Sequence, residues 1–251
     1  MAKRIPVKLN IVTNPTKTEY VEDLPFNVDG LTLSVTYDNE KTHSVDDFDY
    51  PTELLALGQT EIELAYTENS TKVTVEQPIV ITKKVLQSIA IRAPPTKTEY
   101  IEDTKFDKTG LIVEGLYNNN KRYPTTAYTF DTNDLIKGAT KIELSYNEDT
   151  VTKTVNQPIT VKAKTPTDLL VKIPPKKIKY IEETVFDKTG MVVHSLCDNG
   201  KEYPVTSYTA PIAELDFSTK EIKLSYAGKY ICGYKLKKEI SWDNLSQLIW
   251  V

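Results

Sequence analysis

The chain has 251 residues, 26% of them charged and 39% hydrophobic, with a formal net charge of −4. That is an ordinary composition for a soluble protein, and the acidic balance argues against nucleic-acid binding, which asks for a basic face. No run approaches the 20 or so apolar residues of a membrane-spanning helix. The opening stretch MAKRIPVKLNIVTNP lacks the apolar stretch of a signal peptide, so the expectation is a protein used without Sec export or a piece of a longer secreted chain.

In chain order, the first element of note is the string PTKTEY from Pro15 to Tyr20. It returns unchanged from Pro95 to Tyr100, and as PKKIKY from Pro175 to Tyr180, a period of 80 residues. The register holds onward through Phe26, Phe106 and Phe186, then Gly30, Gly110 and Gly190, then Leu55, Leu135 and Leu215, and through Tyr66, Tyr146 and Tyr226. A period this long exceeds that of solenoid repeats and suits a small domain with its own core. Three domains are therefore expected: 1–83, 84–163 and 164–251. The linkers around Lys83–Lys84 and Lys164–Thr165 are short, which predicts limited bending.

Within each repeat, apolar and polar residues alternate with period 2, the mark of half-buried strands. Leu31, Leu33, Val35 and Tyr37 share one face, as do Leu111, Val113, Gly115 and Tyr117, and Met191, Val193, Ser195 and Cys197. A second alternation runs from Ile62 to Tyr66 and recurs at 142–146 and 222–226. A third covers Val73, Val75, Ile79 and Ile81. Turns fall at Asp38–Asn39–Glu40, Asn118–Asn119–Asn120 and Asp198–Asn199–Gly200, where Asn, Asp and Gly tolerate left-handed backbone. Gly30, Gly110 and Gly190 precede a strand in all three repeats and are expected at positive φ. Short helical stretches are expected only near Thr52–Leu57, Asn133–Lys137, Ile212–Phe217 and Asp243–Ile249. Many short strands with turns between them predict an all-β fold of three tandem immunoglobulin-like β-sandwich domains in an extended arrangement.

The run YIEDTKFDKTGLIVEGLYNNNKRYPTTAYTF resembles bacterial immunoglobulin-like repeats, through Tyr100, Glu102, Phe106, Asp107, Gly110, Leu111, Val113, Tyr117 and Tyr128, and then Ile142, Leu144, Ser145 and Tyr146. Repeat 1 has Asn27 in place of the Asp, and repeat 3 has Cys197 in place of the strand-end Tyr. The resemblance implies tandem modules of Gram-positive surface proteins or of phage virion proteins, acting as spacers, adhesion modules or decorations. Such a fold hosts many functions.

Residues with catalytic chemistry are sparse. His43 and His194 do not occupy equivalent positions, and no GxxxxGK[ST] or GxGxxG string exists, so a zinc site, a catalytic triad or a phosphate cradle finds no support. No enzyme activity and no cofactor are expected. The recurring pairs Glu22–Asp23, Glu102–Asp103 and Glu182–Glu183, with Asp107 and Asp187 nearby, have carboxylates enough to suggest calcium at the domain junctions; a solvated turn whose carboxylates accept backbone N–H groups is the favoured reading. Cys197 and Cys232 are expected as two buried free thiols, the alternative being a disulfide, which needs their Cα atoms within about 7 Å.

The last 25 residues leave the repeat. From Ala163 onward there are 13 Lys against 11 Asp and Glu, and both Trp of the chain fall here. Tyr230, Tyr234, Trp242, Leu245, Leu248, Ile249, Trp250 and Val251 form either a cap on the last sandwich or a docking surface, since Trp and Tyr anchors are favoured at interfaces. The function expected is non-catalytic: a phage virion accessory protein whose domain 3 docks on the particle while domains 1 and 2 reach a host surface. The alternative is a spacer or glycan-binding fragment of a secreted bacterial adhesin, and a further class is an auxiliary module beside a catalytic domain. The partners would be structural proteins of a virion or surface assembly, or a cell-surface glycan, with no membrane insertion. The location would be the virion or the bacterial cell surface.

Overall fold

The computed structural model describes residues 3–180, 183–216, 219, 221–240 and 246–250, with 229–240 and 246–250 described by backbone alone. The protein is all-β, and no helix occurs among the described residues. It falls into two compact units. The first comprises Met1–Pro94, Gly110–Phe130 and Glu143–Val155; the second comprises Pro95–Thr109, Asp131–Ile142 and Asn156–Val251. Repeat 1 lies wholly in the first unit and repeat 3 wholly in the second.

Repeat 1 supplies β1 (Pro6–Thr13), β2 (Glu19–Val21), β3 (Thr32–Tyr37), β4 (Thr42–Val45), β5 (Glu61–Glu68), β6 (Thr71–Pro78) and β7 (Val80–Thr82). Strand β3 pairs antiparallel with β1 on one side and β4 on the other. Opposite this sheet lie the antiparallel hairpin β5–β6 and the parallel pair β2–β7. The period-2 pattern decides the faces: Leu33, Val35 and Tyr37 of β3 are buried while Thr32, Ser34 and Thr36 are not. Those side chains pack with Leu9 of β1, Tyr20 of β2, Ile62 and Leu64 of β5, and Ile79, forming one core between the layers. This is the immunoglobulin-like sandwich that alternation predicts.

Repeat 2 supplies β8 (Leu86–Ala93), β9 (Glu99–Ile101), β10 (Ile112–Tyr117), β11 (Arg122–Thr125), β12 (Lys141–Glu148), β13 (Val151–Pro158) and β14 (Thr160–Lys162), at the same spacing. In the first unit β10 pairs with β8 and β11. In the second, β9 and β14 run parallel.

Repeat 3 supplies β15 (Pro166–Ile173), β16 (Lys179–Tyr180), β17 (Val192–Cys197), β18 (Glu202–Val205), β19 (Glu221–Tyr226), β20 (Lys229–Ile240) and β21 (Ser246–Trp250). The sheet β15–β17–β18 keeps the plan, but the second sheet does not. Where β2 and β9 have a parallel neighbour, β16 pairs antiparallel with β21, giving the order β16–β21–β20–β19. Its core again joins both layers, with Leu169, Tyr180, Val193, Ile222 and Leu224 all nearly inaccessible.

The short helices expected from sequence are absent from the described residues, and the backbone shows why. The Leu55 N–H donates to the Leu24 carbonyl, and the Asp23 N–H donates to the Leu55 carbonyl. The same exchange joins Leu135 to Thr104 and Asp103, and Leu215 to Thr184 and Glu183. These segments therefore spend their polar groups on a neighbouring turn instead of on themselves. Near the C-terminus, 246–249 belong to β21, and Asp243 to Leu245 and Phe217 lie outside the described residues.

One pin recurs in all three repeats. The Tyr20 hydroxyl donates to the Lys17 carbonyl at 2.9 Å and accepts the Asn27 N–H at 3.2 Å. Tyr100 binds Lys97 and Asp107 in the same way, and Tyr180 binds Lys177 and Asp187. The ring is buried against Phe26, Phe106 or Phe186. A buried aromatic with a satisfied hydroxyl fixes the approach to Gly30, Gly110 and Gly190, whose φ values are 80°, 84° and 82°. A side chain at Gly30 would meet Thr16 Cγ2 at 2.8 Å, so both backbone and space favour glycine there. Replacing Tyr100 with Phe keeps the ring but leaves the Asp107 N–H and Lys97 carbonyl without that partner. A loss of about 1–2 kcal/mol is expected, measured as a lower urea midpoint at unchanged slope.

Candidate functional site

The acidic pairs Glu22–Asp23 and Glu102–Asp103 sit in a turn just after β2 and β9, and Glu183 sits in a turn after β16; φ is positive in each, 64° for Asp23, 63° for Asp103 and 65° for Glu183. Non-glycine residues adopt this backbone rarely, and Asp is among those that tolerate it best. In repeats 1 and 2 the turn aims the carboxylates at the start of the following repeat. At the first junction, in the first unit, the Lys84 ammonium lies 2.5 Å from Asp23 Oδ2, and the Lys84 backbone N–H donates to Glu22 Oε1 at 2.9 Å. The Tyr123 hydroxyl donates to the same Asp23 oxygen at 3.0 Å. The Asn119 amide donates to the Glu22 carbonyl at 3.1 Å, and Asn119 is buried. Lys84 Nζ stands 4.9 Å from the centre of the Tyr123 ring, within cation–π range.

The second junction, in the second unit, repeats every part. Lys164 Nζ lies 2.7 Å from Asp103 Oδ2 and 3.2 Å from Glu102 Oε1. The Lys164 N–H donates to Glu102 at 3.1 Å, Tyr203 donates to Asp103 at 2.8 Å, and Asn199 donates to the Glu102 carbonyl at 3.0 Å. Lys164 stands 4.3 Å above the Tyr203 ring. Flanking ion pairs differ: Lys83 meets Asp149 at the first junction, and Lys201 meets Asp134 at the second.

The electrostatics follow from these partners. The hydrogen bond from Lys84 holds Asp23 below the ordinary carboxylate range, helped by Tyr123 and opposed by desolvation. Asp103 is lowered by Lys164 and then Tyr203. Lys84 and Lys164 are raised, chiefly by their Asp partners. The lysine side chains keep 24% and 26% of their exposure. A single ion pair so placed contributes little, and the restraint comes from four groups converging on one turn.

Lysine, tyrosine and asparagine thus do at the junctions what the acidic pairs suggested for calcium, and no cluster of three or more potential metal ligands occurs among the described residues. Asp107 and Asp187 instead accept the N–H groups of Thr109 and Thr189. Glu182 lies outside the described residues. His43 is exposed and edge-on to Tyr37, while His194 is half-buried, 3.5 Å from the Glu202 carboxylate. Cys197 is a buried free thiol. It stands where Tyr37 and Tyr117 donate to Glu68 and Glu148, and the matching acid position in repeat 3 is Gly228, so both halves of that bond are replaced together. The Cys232 side chain lies outside the described residues.

Of the C-terminal residues expected at a cap or docking surface, Tyr230 and Tyr234 are on β20, paired with Ser225 and Ile222. Leu248, Ile249 and Trp250 are on β21, paired with Lys238, Lys237 and Leu236. Their side chains, and Trp242, Leu245 and Val251 altogether, lie outside the described residues. Sequence reading missed the clasp partners Lys84, Asn119 and Tyr123. A signal was present: Lys84 and Lys164, Asn119 and Asn199, and Tyr123 and Tyr203 are each 80 residues apart.

No protein-family model matches the chain. Pectate lyase L of Thermoclostridium stercorarium is 27% identical over 227 residues, an alignment covering 84% of this chain and 18% of that protein. The chain thus spans less than a fifth of that relative's length. Among solved structures, the I-band fragment I67–I69 from titin is 9% identical, with 98% of this chain and 89% of that one covered at a TM-score of 0.23. Drosophila OTK extracellular domains 3–5 are 9% identical, covering 98% and 90% at 0.21.

These shifts make the clasp sensitive to pH at both extremes. The lowered Asp23 and Asp103 contribute stability that is present above about pH 4 and lost as pH falls through their depressed values. The raised lysines contribute below about pH 10.5 and lose it as pH rises further. The Lys84 and Lys164 amide resonances are therefore expected to hold steady between about pH 5 and 9 and to move at both extremes. A drift across that plateau would contradict the clasp.

Proposed function

We propose that this chain is a non-catalytic spacer made of bacterial immunoglobulin-like repeats, one domain in each of 1–83, 84–163 and 164–251, belonging to a larger surface or secreted assembly. The observation that carries this reading is the same five-residue clasp at both junctions. A hinge has no use for it, whereas a spacer needs every joint set to one angle. The partial match to Pectate lyase L supports a module that accompanies other machinery, since the matched stretch is 18% of a protein named for an enzymatic activity. Short linkers add to the restraint, because β7 ends at Thr82 and β8 begins at Leu86.

A second reading keeps the spacer and specifies its setting: a phage particle, with repeat 3 as the attached end and repeats 1 and 2 projecting toward a host surface. The departure of repeat 3 favours it. Its closing strand is antiparallel where the other repeats have a parallel one, and its charge is positive where the rest is negative. A bacterial cell surface would suit the same design. Many copies side by side would make weak single contacts effective.

Spin labels at exposed Glu40 and Lys137 measure the joint directly. A narrow distance distribution is expected for the full chain, broadening at least twofold when Asp23 is changed to Ala. A distribution already broad, or one the substitution leaves unchanged, would rule out a stiff spacer. Co-sedimentation with phage particles or with cell walls then separates the two settings.

A further inference from the structure

The receiving half of the clasp is present a third time, at the start of repeat 1. Arg4 stands 80 residues before Lys84, Asn39 before Asn119, Lys41 before Lys121 and His43 before Tyr123. Local geometry is reproduced along with position. In each repeat the hairpin turn is tied to the first strand by a pair of hydrogen bonds: Ile5 and Asp38, Val85 and Asn118, Thr165 and Asp198. In each, the Asn side-chain oxygen accepts the N–H two residues on: Asn39 from Lys41 at 3.2 Å, Asn119 from Lys121 at 2.9 Å, Asn199 from Lys201 at 3.0 Å. That bond orients the amide, so the Nδ2 that binds a Glu carbonyl in repeats 2 and 3 is held in the corresponding place in repeat 1. His43 stands edge-on to Tyr37 at 5.6 Å and 78°, as Tyr123 stands to Tyr117 at 5.3 Å and 84°.

The difference lies in what the groups bind. Asn119 is 5% exposed beneath the acidic turn, whereas Asn39, Lys41 and His43 are exposed. Arg4 folds back onto its own repeat, 4.1 Å above the Tyr37 ring and 3.7 Å from Glu68. A cation parked on an aromatic face, an oriented amide and an imidazole stand at the positions of the lysine, amide and tyrosine hydroxyl that receive two carboxylates and a carbonyl elsewhere in this chain.

We infer that this end of repeat 1 is a third receiving face, and that its occupant is the Glu–Asp turn of a further repeat built like repeats 1 and 2 and joined directly ahead of Arg4. Covalent continuity is the form indicated because, in both clasps, the lysine backbone itself donates to the Glu side chain. The strand leading into that lysine runs parallel to the acidic turn's own strand. A partner lacking that strand would have to supply the alignment from nothing. Arginine in place of lysine keeps the cation and adds a planar fork suited to a carboxylate. This inference rests on the clasp as the working joint of the repeats.

The test extends the full chain by a copy of residues 5–83 placed directly before Arg4, and reads the Asn39 side-chain amide by NMR. The added repeat is expected to shift that amide. Glu22→Gln and Asp23→Asn in the added copy alone, or Arg4→Glu, are expected to return it to its position in the unextended chain. Dispersed amides from the added copy report that it has folded. The Asn199 amide, followed in a chain carrying Asp103→Asn, reads the second junction as an internal reference. If Asn199 responds and Asn39 does not, this inference fails while the clasp stands; if neither responds, the clasp reading fails as well. A shift of Asn39 in the unextended chain that grows with concentration would identify a second copy as the occupant and overturn the covalent form.

Discussion

A turn held at positive φ after the second strand of each repeat is the constraint on which the rest depends. Asp23, Asp103 and Glu183 each give their N–H to the carbonyl of a core leucine segment, at Leu55, Leu135 and Leu215. That bond fixes the turn against its own repeat. In Asp23 and Asp103 the carboxylate then leaves in the opposite direction and meets the lysine that opens the next repeat. One residue therefore belongs to two structures, and any movement of the sandwich loop is carried into the joint.

The tyrosine pin works upstream of that turn. Tyr20, Tyr100 and Tyr180 are buried, yet each hydroxyl reaches two backbone groups, one three residues back and one seven residues on. A phenylalanine would fill the same volume without tying the strand to the loop before the next glycine. The pin sets the path of the chain into the Glu–Asp turn, so core packing and joint geometry are linked within three residues of sequence. Repeat 3 keeps the pin and the turn but pairs β16 with an antiparallel strand in place of a parallel one. The parallel strand is the one that leads into a clasp lysine in the other repeats.

The clasp also explains why the acidic pairs are adjacent residues of different length. The longer Glu reaches the backbone N–H of the lysine while the shorter Asp meets its ammonium. One cation and one amide are thus shared between two neighbouring carboxylates that would otherwise repel. The aromatic ring below the ammonium and the hydroxyl at its edge complete the enclosure, which is why Tyr123 and Tyr203 serve better here than a residue able to do only one of these.

Alternation at Leu31 to Tyr37 and Ile62 to Tyr66 determined the strands and their buried faces, because period 2 leaves no other way to hide those side chains. The 80-residue period determined that the elements of repeat 1 would return in repeat 2 and, as far as β19, in repeat 3, and Gly30, Gly110 and Gly190 marked their own backbone. Only the tertiary structure decided what the acidic pairs were for. Tyr123 and Asp23 are 100 residues apart in the chain, and no local pattern connects them. The short segments at Thr52–Leu57 and Asn133–Lys137 look helical by composition and are not, for the same reason. Their backbone partners lie in a distant turn, so local composition could not show that those partners outbid a helical turn. Near neighbours and burial are written into the sequence itself; the joint is made of long-range polar partners, and these exist only once the sandwiches have formed.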